Sequence, residues 1–84
     1  MSAEDRYLGK LEAQTTLGRN LQIYLDLRKQ DKRGSDEWRK SNQRVLKATE
    51  AFNDAKAATA KAFVEAQNER EDLASQRAGS LRRG

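Results

Sequence analysis

Residues 38–76 read WRKSNQRVLKATEAFNDAKAATAKAFVEAQNEREDLASQ, and within them Trp38, Val45, Phe52, Thr59, Ala66 and Leu73 recur every seven residues. A repeat of that period held over six heptads predicts a helix that lies along another helix. Three residues after each member stand Ser41, Ala48, Ala55, Ala62, Glu69 and Gln76. This companion row is small in the middle and polar at the far end, so a neighbouring backbone can come close there.

Upstream of the repeat, Gly34-Ser35 is the one clear break. Ser35 is a helix N-cap by type, and Asp36-Glu37 place carboxylates at the positive end of the following helix. That helix is expected over 36–78, with Gly79 to Gly84 as a frayed basic tail. At the chain start Ser2 caps a first helix whose opening turn holds Glu4 and Asp5. Its expected extent is 3–33, because Arg28, Lys29, Lys32 and Arg33 crowd the last turns and Gly34 can follow in the left-handed conformation. Gly18 costs about 1 kcal/mol inside that helix relative to alanine and is read as tolerated, a close helix crossing or a bend being the alternative.

A turn of two residues forces the helices antiparallel, so residues whose numbers add to about 69 lie side by side. Trp38 then meets Leu27, Val45 meets Tyr24, Phe52 meets Leu17, Thr59 meets Leu11 and Phe63 meets Tyr7. Glu4 falls beside Glu65, leaving residues 66–78 as an overhang with Leu73 still in register. The predicted fold class is all-α: a single domain, 1–84, forming an antiparallel, coiled-coil-like helical hairpin. Eighty-four residues supply a thin core, and the apolar residues Leu21, Ile23, Tyr24, Leu25 and Leu27 spread round more than one side of the first helix. The hairpin is therefore expected to pair as a homodimer, a four-helix bundle.

Composition excludes most chemistry. The chain has no cysteine and no histidine, which removes thiolate nucleophiles and metal ligands together with the commonest general base. Carboxylate groups at helical spacing, Glu50 with Asp54 and Glu65 with Glu69 and Asp72, read as surface charge, since helical di-metal sites add histidine. The expectation is no enzyme, no metal and no cofactor. No apolar run approaches the ~18 residues of a membrane span, and acid follows Met1 where a signal peptide carries base. A cytoplasmic protein with no membrane contact is expected.

The net charge of +4 is unevenly spread. Residues 28–47 hold eight cations against three carboxylates, whereas residues 65–72 hold four carboxylates against Arg70. A hairpin puts these at opposite ends. The expected function is that of a small regulatory protein, adaptor or inhibitor that binds a larger protein through its helical faces. Its expected partner-binding residues are Leu21, Ile23, Leu25 and Leu46, the turn-end group Arg33, Trp38, Arg39 and Lys40, and Leu73 on the overhang; Trp38 itself is read first as sealing the seam. The alternative is a nucleic-acid-binding hairpin, in which Arg28, Lys29, Lys32, Arg33, Arg39, Lys40, Arg44 and Lys47 contact backbone phosphates.

Overall fold

A computed structural model describes residues 2–83; the side chains of Ala78 and of residues 80–83 lie outside the description. The described residues form two α-helices and no strand: α1, Ala3–Gln30, and α2, Asp36–Arg83. They lie antiparallel in a rod of 73 × 17 × 13 Å.

Both helices start where the sequence places a cap. Ser2 is extended (φ −72°, ψ 161°), and its Oγ accepts from the Asp5 N–H at 3.1 Å. Ser35 Oγ accepts from the Trp38 N–H at 3.1 Å and donates to the Lys32 carbonyl at 2.6 Å, so one hydroxyl opens α2 and closes the turn before it.

The end of α1 differs from expectation. The helix stops at Gln30, not Arg33, because Asp31 takes an extended conformation (φ −87°, ψ 142°). Its N–H still reaches the Arg28 carbonyl, and its carboxylate accepts from the Ser41 hydroxyl of α2. That tertiary contact ends the helix earlier than the basic run suggests. Residues 32–35 then form a reverse turn closed by the Ser35 N–H on the Lys32 carbonyl, with Gly34 at φ 86° in the third position. Only glycine takes this conformation freely.

Across the seam the pairing rule holds through the middle of the rod. Tyr7 and Phe63 rings stand 5.4 Å apart at 59°. The Thr59 hydroxyl lies 2.8 Å from the Ala55 carbonyl of its own helix and 3.2 Å from the Lys10 carbonyl opposite. Phe52 packs against Gly18, and Arg28 Nη1 donates to Asn42 Oδ1 at 2.8 Å. Gly18 therefore marks a close crossing and is more than tolerated. At the turn end the Arg28 guanidinium sits 5.9 Å over the Trp38 indole, and Leu27 is exposed.

The core is narrow, as the small row dictates. Val45, Thr59, Ala62, Ala66 and Ala3 are buried, and among the described residues no large side chain is fully enclosed.

The overhang is shorter at its root and longer at its tip than the sequence arithmetic gives. Ala66 is buried rather than free, Glu69 Oε2 accepts from the Ala3 N–H at 2.9 Å, and Arg70 pairs with Glu4 in place of the expected Glu65 neighbour. The free stretch is thus 71–83, about 20 Å of helix. Helix continues through Gly79 and into the expected tail as far as Arg83. No helix among the described residues is long and apolar enough to cross a membrane.

Candidate functional site

Heptad geometry divides the rod into two long edges. One is marked by a groove between Glu4, Tyr7 and Leu8 of α1 and Phe63, Gln67 and Arg70 of α2. The other is marked by Leu17, Asn20 and Tyr24 of α1 facing Arg44, Lys47 and Ala48 of α2.

Exposed apolar side chains fall on both edges. Leu8, Leu11 and Phe63 are 53, 37 and 44% exposed on the first. Ile23 and Leu27, three and seven residues beyond Asn20, are 55 and 44% exposed on the second. Leu46, 60% exposed, shares a heptad position with Gln67 and so belongs to the first edge. The four residues expected to make one apolar surface are consequently divided. Leu21 and Leu25 are half-buried, and Ile23 and Leu46 face opposite ways.

At the turn, Arg28, Lys29, Asp31, Arg33, Trp38 and Asn42 line a shallow depression. Two of them are committed to the fold: Arg28 by its bond to Asn42 and its place over the indole, Trp38 by half-burial beneath it. Lys29 lies 4.0 Å from Asp26. Lys32, Arg33, Arg39, Lys40, Arg44 and Lys47 are exposed and make no ion pair. Leu73 on the overhang is 53% exposed. The turn-end cations therefore gather at one end of the rod and Leu73 near the other.

Among the described residues no group of three or more acidic, histidine or cysteine side chains is placed to hold a metal ion. Compared with protein-family models, curated proteins and solved structures, the chain has no significant match.

Sequence reasoning missed Leu8, Leu11 and Val64 as exposed apolar positions, and it paired Leu27 and Phe63 inside the seam without noting that their outer faces stay in water. The signal was available. Val64 lies off both the heptad row and the companion row of α2, and side chains flanking a two-helix seam stay open unless a third helix covers them.

Proposed function

We propose that this chain is a non-catalytic protein-interaction module, a small cytoplasmic regulator, adaptor or inhibitor that works as a homodimeric four-helix bundle and docks on a larger protein through its helical faces. The observation that carries the reading is the exposure, among the described residues, of eight large apolar side chains, each between 37 and 60%, on a narrow rod. Two side-by-side helices bury one stripe each, so apolar side chains flanking the seam stay open to a further helix or a partner. Absence of histidine and cysteine supports the non-catalytic part. The test uses photo-crosslinking side chains placed in turn at Leu8, Ile23, Leu46 and Leu73. A saturable adduct with one larger protein, competed by unlabelled chain and lost on substituting that position with aspartate, is the expected result. Adducts only to the chain itself would refute docking on a larger partner.

The six unpaired cations near the turn favour a second reading, a nucleic-acid-binding hairpin. Affinity for mixed RNA or DNA at low salt, falling steeply as salt rises, would support it. No affinity at low salt ends that reading.

A further inference from the structure

Along the outer side of α2, Lys40, Arg44, Lys47, Ala51, Asp54 and Ala58 follow at alternating steps of four and three, and the stripe continues through Lys61, Glu65, Asn68 and Asp72. This spacing keeps them on one face of a helix. It is cationic toward the turn, small in its middle and anionic toward the far end. Ala51 and Ala58 are half-buried and the polar members exposed, and none of the charged ones makes an ion pair within the chain.

Such a stripe is complementary to itself when reversed. We infer that the occupant of this face is a second copy of the chain, running antiparallel, with residues whose numbers add to 112 opposite one another. This rests on the homodimer reading above and assigns its face and register. Lys40 then lies opposite Asp72 of the second copy, Arg44 opposite Asn68, Lys47 opposite Glu65, Ala51 opposite Lys61 and Asp54 opposite Ala58. No layer opposes like charges, and every pairing occurs twice about the two-fold axis. The register obeys the same layer rule as the seam inside each hairpin, where Thr59 meets Lys10.

The alanines let the two α2 backbones approach near residue 56. Overlap runs from about residue 37 to residue 75, roughly 58 Å of helix. Ile23 and Leu27 are on the edge beside Arg44 and Lys47, so residues 66–70 of the second copy lie at their level. A reversed, isologous pair also closes on itself, whereas joining the basic end of one rod to the acidic end of the next, all in one direction, builds an open filament.

The test measures mass by sedimentation equilibrium of the full chain at low salt, with helicity checked by circular dichroism. Wild type is expected as a dimer. Lys40→Glu/Lys47→Glu opposes carboxylates in the paired layers, and Glu65→Lys/Asp72→Lys opposes cations. Each variant alone should dimerise at least about tenfold more weakly. An equimolar mixture of the two, and the single chain carrying all four changes, should return to dimer. If both double variants remain as tightly dimeric as wild type and their mixture shows no preference, the dimer forms through another face; this inference falls and the homodimer reading stands. Masses that grow beyond dimer with concentration indicate the open filament and overturn it as well. A wild-type monomer, or one whose mass changes only on adding a polyanion such as single-stranded nucleic acid, overturns the homodimer reading and this register together.

Discussion

The ring of Phe52 rests on Gly18, its Cε2 lying 3.1 Å from the point a Cβ on that glycine would occupy. At this level one helix offers no side chain and the other offers a large flat one. Helix propensity alone favours alanine at residue 18 by about 1 kcal/mol. Here the gain is set against displacement of a half-buried ring, also stacked under Lys56 Nζ at 5.5 Å from its centroid.

Gly18→Ala is therefore expected to change stability by less than about 1 kcal/mol, propensity and crowding offsetting each other, while Gly18→Leu costs about 1–3 kcal/mol through overpacking. The informative variant is Gly18→Ala combined with Phe52→Leu, which should recover most of the propensity gain relative to Phe52→Leu alone. Thermal unfolding followed by circular dichroism reads all four chains. Strong destabilisation by Gly18→Ala that persists in the Phe52→Leu background would show that something other than the ring forbids the methyl group.

Ser35 holds the turn and α2 together through one hydroxyl. Replacing it with alanine removes the N-cap and should cost about 1 kcal/mol. Ser35→Asp keeps an acceptor for the Trp38 N–H, loses the donor to the Lys32 carbonyl, and is expected between the two. Equal losses for both variants in denaturant unfolding would place the value of Ser35 in the turn bond and not in the cap.

How far these relationships could be read beforehand depends on where tertiary contacts compete with local rules. Tyr7–Phe63 and the Thr59–Lys10 level follow from the seven-residue spacing and a short turn, because antiparallel packing leaves one pairing rule for the whole seam. The end of α1 does not follow. Cations at 28–33 and Gly34 signal a helix stop at Arg33, but Asp31 finds Ser41 on the other helix and leaves the helical conformation earlier. The root of the overhang was hidden for a related reason. Glu69 and Arg70 are long enough to reach forward to the first turn of α1, which position arithmetic on backbones ignores. The division of the exposed apolar residues between two edges was legible from heptad positions, yet Ile23 and Leu46 invite grouping because they fall at one level of the rod.

Glu69 supplies one of the N–H groups at the start of α1 with an acceptor and sets a negative charge at the positive end of that helix. Glu69 is itself exposed although Ala3 is buried, so the expected cost of Glu69→Ala is modest, about 0.5–1 kcal/mol. Its effect should be local. Hydrogen exchange is expected to accelerate at Ala3–Arg6 with little change near Val45, and Glu4→Gln, which removes only the exposed pair to Arg70, should cost less than about 1 kcal/mol and matter less at high salt. Uniform acceleration along both helices would contradict this and show that the tip governs the whole hairpin.

Beyond Arg70 nothing of α1 lies beside α2, and the proposed antiparallel dimer covers it only to about residue 75. The remaining residues, 76–83, continue a helix already nucleated, so each added turn needs no new nucleus but has only propagation to hold it. Leu73, the last large apolar residue before that point, is 53% exposed in the single chain. Amides after Ser75 should accordingly exchange close to the rate of unstructured peptide, while those from Val45 to Ala66 are protected in proportion to global stability. A chain ending at Ser75 is expected to unfold within about 0.5 kcal/mol of the full protein and to keep the same oligomeric state in solution. Loss of dimer on that truncation would instead assign the last eight helical residues to the contact between copies, and would move the two-fold axis away from residue 56 toward the far end of α2.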